Sequence, residues 1–343
     1  MGGERMEATI TRWLKIAEEK QSDDIHLTPL ADSYQVYIRY QSQLIPVEKI
    51  SLNQGEKIIR YIKYIANMEV GEKRRPQDGA LVFQGANKSY ELRLSTIANY
   101  KMQESLVIRI LHQNHQQSLP IDEFNQDIFR ELTTQINRKT GLIIFSGPVS
   151  SGKTTTIYYL LRHAYKNSKR EIITIEDPIE IKEENFLQTE INLRAGIDYD
   201  DLISASLRHH PDILVIGEVR TEHTARMMIR AALTGHLVLA TIHAKDTAGV
   251  IGRLIELGIT KEQLIQTLLS VVSQRLVPRD DIANQWLPIF ELLHHENLQH
   301  VILNKPTDNT FKSLNNQLSE ALHHGYISQK TYEHYHVEAA ITH

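Results

Sequence analysis

The sequence predicts an α/β protein in two parts, a small α+β domain over residues 1–111 and a doubly wound α/β domain over residues 121–343. Three observations carry this expectation. The second part contains runs that are almost wholly apolar, Leu142–Ser146, Ile172–Ile175, Ile213–Ile216 and Leu237–Ile242, as strands buried on both faces of a parallel sheet are. Helical periods separate these runs, so strands and helices alternate. The first part instead shows short stretches of apolar and polar residues in alternation, the pattern of half-buried strands.

In the first part, Tyr34–Tyr40, Leu81–Phe83, Tyr90–Thr96 and Leu106–Leu111 read as strands. Gln77–Gly79 and Gly85–Asn87 read as turn signals between them. Gln54–Met68 reads as a helix, with Ile58, Ile59, Ile62 and Ile65 on one face. The polar stretch 112–120, closed by Pro120, is the expected linker. In the second part, Lys153–Ala164 reads as a helix. Helices over Thr221–Leu233 and Thr247–Leu257 end at Gly235 and Gly258. Thr260 and Gln263 form a capping box for a further helix expected to run to about Leu276. The tail from Phe311 reads as helices around Leu314, Leu318, Leu322 and Ile327.

Composition narrows the classes of function. The 343 residues carry a net charge of −4, so no basic coat points to nucleic acid. With no cysteine, disulfides, thiolate zinc sites and cysteine nucleophiles are excluded. The 17 histidines are scattered. No apolar run is long enough to span a bilayer, and the charged N-terminus does not read as a signal peptide. A cytoplasmic protein is expected, with membrane contact through a partner.

The strongest motif is Gly147-Pro-Val-Ser-Ser-Gly152-Lys153-Thr154. Its spacing wraps backbone N–H groups around a β-phosphate, with glycine permitting the close approach. A helix beginning near Lys153 points its positive end at the anion. Gly147, Ser150, Ser151, Gly152, Lys153, Thr154 and Thr155 are therefore the expected nucleotide-binding residues. Lys153 is assigned to the β- and γ-phosphates, and Thr154 to Mg²⁺. ATP and Mg²⁺ are the expected cofactors.

Ile213–Gly217 followed by Glu218 has the layout of a Walker B strand, with Gly217 where an aspartate is usual. Glu218 is then left to polarise the attacking water, although a strand-end carboxylate also suits capping of the helix at Thr221. Glu176 and Asp177 end another strand at the edge where open α/β sheets bind ligands. They suit orientation of Mg²⁺-bound water, or equally a simple Asp-Pro turn. His243 follows the strand Leu237–Ile242 at the same edge, as a γ-phosphate sensor or a packed histidine.

These elements resemble, in order and spacing, the secretion ATPases of type II secretion, type IV pilus and DNA-uptake systems. In the first part the similar segments are Ser22–Pro29, Arg75–Gly79, Leu92–Thr96 and Glu104–Arg109. In the second they are Ile175–Glu180, Leu207–Arg220, Thr234–His243 and Gln274–Leu276. The resemblance implies a hexameric ring motor in which a PAS-like domain moves against a RecA-like P-loop ATPase domain. It adds Glu176 and His243 to Glu218 as catalytic residues. It also adds Arg93 and Arg109 as trans-acting arginines, which by composition alone would be ordinary strand arginines.

Two departures bear on the subclass. Asp201 and Ser204 stand where many members carry arginine. The four-cysteine zinc insertion common in secretion and extension motors is absent, since Val277–Ile289 leads directly to Phe290–Leu293. The chain thus looks most similar to the competence ATPases of Gram-positive bacteria. The implied function is ATP-driven assembly of a competence pilus or pseudopilus for DNA uptake. The implied partner is a polytopic inner-membrane platform protein, with no direct nucleic-acid contact and a peripheral position at the membrane. Alternatives are a pilus-retraction motor, an ATPase acting directly on DNA, and a non-hydrolysing docking subunit.

Overall fold

The computed structural model describes residues 2–20, 22–40, 43–85, 88–111, 123–192, 195–282 and 285–337. The expected linker, 112–120, lies outside the described residues. Contacts divide the chain into two compact units, Met1–Asn114 and His115–His343.

The first unit runs α1 (Gly2–Glu19), β1 (Asp24–Pro29), β2 (Ser33–Tyr40), β3 (Gln43–Ser51), α2 (Leu52–Ile65), β4 (Gln77–Gln84), β5 (Ser89–Ala98) and β6 (Glu104–Leu111). Its strands form one antiparallel sheet in the order β3-β2-β1-β6-β5-β4. One face packs against α1 and α2 through Ile10, Trp13, Leu14, Ile58, Ile59 and Ile62, all buried. Helix α1 was not expected from the sequence, yet Ile10, Trp13, Leu14 and Ala17 have helical spacing. The edge strand β3 is largely exposed and contains Pro46, so it carries little apolar signal.

Gln77–Gly79 is a strand rather than the expected turn, because it opens β4. The Gln77 amide bonds the backbone of Glu69 and Glu72. Gly79 leaves room for Met68, whose Sδ would lie 2.8 Å from a Cβ there. Residues 86 and 87 of the second turn signal lie outside the described set.

The second unit runs α3 (Gln126–Ile136), β7 (Gly141–Ser146), α4 (Lys153–Ser168), β8 (Ile172–Glu176), β9 (Leu187–Glu190), α5 (Tyr199–Arg208), β10 (Ile213–Ile216), α6 (Glu222–Leu233) and β11 (Leu237–Ile242). It continues α7 (Thr247–Glu256), α8 (Lys261–Thr267), β12 (Leu268–Pro278), β13 (Trp286–His294), α9 (His295–Ile302), α10 (Leu314–His323) and α11 (Gln329–Tyr335). The sheet order is β13-β12-β7-β11-β10-β8-β9, parallel except for the edge pair β12·β13. Helices cover both faces. α3 and α4 pack on one side and α6 and α7 on the other.

The helix expected to reach Leu276 stops at Thr267, and Leu268–Pro278 is strand β12. It inserts beside β7 and is buried on both faces, so its apolar residues show no period-2 alternation. A mostly apolar stretch without a clear period is ambiguous between helix and strand.

Candidate functional site

The ends of β7, β8, β10 and β11 lie side by side at one edge of the parallel sheet. The loop 147–152 leaves β7 there and enters α4. Gly147, Ser150 and Gly152 have φ of 145°, 61° and 83°, conformations that make neighbouring N–H groups converge on an anion. Gly152 caps α4 without any side-chain hydrogen bond, so the first N–H groups of that helix stay available. A Cβ on Gly147 would lie 2.3 Å from the Gln274 carbonyl oxygen, and one on Gly152 2.9 Å from Gln274 Nε2. Gly147 is therefore required by close approach of the β12 backbone, and Gly152 by its left-handed φ.

Lys153 Nζ donates to the carbonyl oxygens of Gly147 and Pro148, each at 2.9 Å, and lies 3.5 Å from Ser151 Oγ. Burial pushes its ammonium below the ordinary lysine value, while the charges of Glu180 and Glu218 oppose that shift. Thr154 and Thr155 occupy the first turn of α4, half-buried. This arrangement fits a nucleoside polyphosphate: the start of α4 has no side-chain cap, and the Lys153 cation lies on the loop.

Glu218 follows Gly217 at the end of β10. Burial alone would raise its carboxyl. The hydrogen bond from Arg220, with the charges of Arg220, His243 and Lys153, outweighs burial and holds it below the usual range. His243 Nε2 lies 3.3 Å from Glu218 Oε1. The glycine before Glu218 has a steric reason. A Cβ at Gly217 would come 2.9 Å from the Ile175 carbonyl oxygen and 3.2 Å from Glu176 Cα. An aspartate there would force the β8 backbone to shift.

Glu176, at the end of β8, is placed differently. Its Oε1 accepts from Tyr158 Oη at 2.6 Å and Thr174 Oγ1 at 2.7 Å, and Gln188 Nε2 donates to the same tyrosine. It is 6% exposed. Burial raises its carboxyl, and these hydrogen bonds offset only part of the rise. The two carboxyls are therefore shifted in opposite directions, Glu176 upward by burial and Glu218 downward by its basic neighbours.

Arg93 and Arg109 belong to the first unit. They are cross-strand partners on β5 and β6. Arg109 holds Asp24 in a two-point ion pair, with Nε at 2.8 Å and Nη2 at 3.2 Å from its carboxylate oxygens. The structure therefore brings Lys153, Glu218 and His243 together in the second unit and the two arginines together in the first.

Four residues were not singled out by sequence reasoning. Gln274, fully buried, accepts from Thr156 Oγ1 at 3.0 Å and backs the loop. The sequence predicts a helix over its stretch, although Gln274 also opens the similar segment Gln274–Leu276. Arg220 clamps Glu218, Glu180 acts on Lys153, and Tyr158 holds Glu176. Glu180 and Arg220 lay inside quoted motifs, but nothing in a single sequence distinguishes them from solvated charges.

The fold and this edge define a P-loop ATPase. A family model described as "Type II/IV secretion system protein" matches residues 2–327, and the chain belongs to that family. It is 41% identical over 264 residues to "Competence protein ComGA" of Streptococcus pneumoniae, covering 77% of this chain and 82% of the relative. It is 32% identical over 331 residues to "Competence protein ComGA" of Bacillus subtilis, covering 91% and 93%. Among solved structures, the pilus retraction motor PilT with bound ADP aligns with a TM-score of 0.69 at 25% identity, over 95% of this chain and 96% of that one. The ATPase DotB of Legionella pneumophila shares the fold, with a TM-score of 0.74 at 19% identity over 95% and 94%.

Proposed function

We propose that this chain is an ATP-hydrolysing motor that powers assembly of a competence pilus or pseudopilus for DNA uptake. The observation that carries hydrolysis is geometric: Glu176 and Glu218 lie at the ends of adjacent strands, with His243 3.3 Å from Glu218, at the edge where the loop and Lys153 lie; their acidities are shifted in opposite directions. Environments that push two carboxyls apart mark separate acid–base roles. Glu176, raised toward the working pH, suits the proton acceptor for the attacking water. Glu218, held ionised, orients that water and sets the charge around His243, the γ-phosphate sensor. Lys153 binds the phosphates with the N–H groups of residues 147–153.

Thr154 would hold Mg²⁺, with Glu176 facing water bound to it, and the ion when bound would neutralise charge on the phosphoryl oxygens. Arg93 and Arg109 are assigned to complete the site in trans, as arginine fingers. Six copies in a ring, each with a PAS-like first unit and a RecA-like second unit, would supply that geometry. Among the described residues no helix is long and apolar enough to cross a membrane. The force is assigned to a polytopic membrane platform protein.

The competence role rests on the two relatives above, which share more identity with this chain than the retraction motor does. The retraction reading retains support from that motor's fold. Deleting the gene separates the two. Loss of pili and of transformation is expected for assembly, whereas accumulation of pili would favour retraction. Purified Lys153→Ala should lack ATP turnover, and turnover equal to wild type would sink the hydrolytic assignment.

A further inference from the structure

Away from the nucleotide edge, three side chains from two distant parts of the second unit converge. Glu131 lies on α3, His294 ends β13 and His295 begins α9. His295 Nε2 is 3.3 Å and His294 Nδ1 3.6 Å from the same oxygen, Glu131 Oε1. One donor atom from each of the three lies within 4.8 Å of the others.

Successive residues of a strand point to opposite faces, so two adjacent histidines do not ordinarily meet. Here His295 has φ of 50°, a left-handed conformation that histidine adopts only occasionally and at a cost. That turn brings the two imidazole rings to a centroid separation of 4.4 Å over Glu131. His294 Nδ1 is buried, and its nearest partner, Glu131 Oε1 at 3.6 Å, lies just beyond hydrogen-bond distance, which leaves it without a full hydrogen bond.

Behind the carboxylate stands an ordered second layer. Gln135 Nε2 donates to Glu131 Oε1 at 2.8 Å, and Ser270 Oγ donates in turn to Gln135 Oε1. Gln135 is 2% exposed. A cavity of about 190 Å³ adjoins the cluster, lined by His295, Gln135, Arg138 and Leu298 among others.

The geometry points to a site for a divalent transition-metal ion, with Zn²⁺ the best match, held by Glu131, His294 and His295. Bonds of about 2.0–2.1 Å in a tetrahedron set donor atoms about 3.3–3.4 Å apart, close to the two separations found here. Two imidazole nitrogens and one carboxylate oxygen suit Zn²⁺ rather than Ca²⁺ or Mg²⁺. The fourth position is left to water from the cavity. Gln135 is the positioning residue that fixes the carboxylate, as outer partners of metal ligands do. Such an ion ties the first helix of the second unit to the β13–α9 corner, 163 residues further along the chain. It is distinct from the nucleotide-linked Mg²⁺.

The test uses tag-free full-length protein, stripped with chelator and desalted, then titrated with Co²⁺ alone. A tetrahedral Co²⁺ spectrum saturating at one equivalent is expected, and Zn²⁺ should displace it. Excess Zn²⁺ should also raise the melting temperature by roughly 5 °C at a hundredfold excess over Kd. His295→Asn keeps a residue that tolerates the left-handed backbone and should abolish the spectrum. Gln135→Ala should weaken binding about 10- to 100-fold. His323→Ala/His324→Ala, an adjacent pair elsewhere, should leave it intact. The absence of a tetrahedral spectrum in wild type would overturn the assignment. So would a spectrum of full intensity in His295→Asn, which would place binding at other histidines.

Discussion

Glu176 and Glu218 end adjacent parallel strands at the same edge of one sheet, yet their surroundings are opposite. β8 delivers Glu176 into a layer of hydrogen-bonding side chains beneath α4, where Tyr158 and Thr174 are its neutral donors. β10 delivers Glu218 among basic side chains, with Arg220, His243 and Lys153 around it. Desolvation prevails at the first and charge pairing at the second. Strand-end position selects which residues reach the site. The neighbours contributed by helices and loops decide what each carboxylate can do.

The largest expected effect comes from outside the pair. Arg93→Ala or Arg109→Ala should reduce ATP turnover by about 10³-fold, the scale of an arginine finger, while nucleotide affinity changes little. Steady-state kinetics and nucleotide titration read the two. Turnover within threefold of wild type in both variants would remove the arginines from the site.

Next, Glu176→Gln and Glu218→Gln should each lower kcat by about 10²–10³-fold, but they should shift stability in opposite directions. A carboxyl raised in the fold favours folding below the ordinary glutamate range and loses that contribution as pH rises through its raised value. At pH 7 Glu176→Gln removes this penalty and should raise the melting temperature, by roughly 2–4 °C per kcal/mol recovered. The depressed Glu218 carboxyl stabilises above the ordinary range and loses this as pH falls through its value, so Glu218→Gln should melt lower at pH 7. Shifts of the same sign in both would erase the contrast.

Gly217→Asp asks whether the missing Walker B aspartate can be restored. With 2.9 Å to the Ile175 carbonyl oxygen, the change should cost about 1–3 kcal/mol in denaturant unfolding and displace Glu218. Enhanced turnover would contradict the steric account. The smallest effect is expected from Gln274→Ala, which leaves Thr156 Oγ1 its bond to the Gly152 carbonyl at 3.2 Å. About 1 kcal/mol of stability and a severalfold loss of nucleotide affinity should follow, read by unfolding and by titration.

Much of the second unit was legible from sequence, because Ile172–Ile175, Ile213–Ile216 and Leu237–Ile242 are almost wholly apolar, broken only by Thr174 and Thr241, and set between capped helices. Strand β12 was not, since burial on both faces and an adjoining helix α8 erase any period that separates it from a helix. In the first unit the alternating strands were visible, while exposed β3 and charged α1 were hidden by their polar faces. The loop at 147–154 was legible through spacing alone. The partners of its carboxylates were not, because Tyr158, Gln188 and Arg220 acquire their roles only when the chain brings them together.

The most direct measurement is the pH dependence of kcat/KM for ATP hydrolysis in wild type and Glu176→Gln. Wild type should lose activity on acidification along a limb lying above the ordinary glutamate range, where Glu176 takes up its proton. Glu176→Gln should show a low residual rate without that limb. A Glu176→Gln enzyme with wild-type turnover and an unchanged acid limb would contradict the division of roles between the two carboxylates.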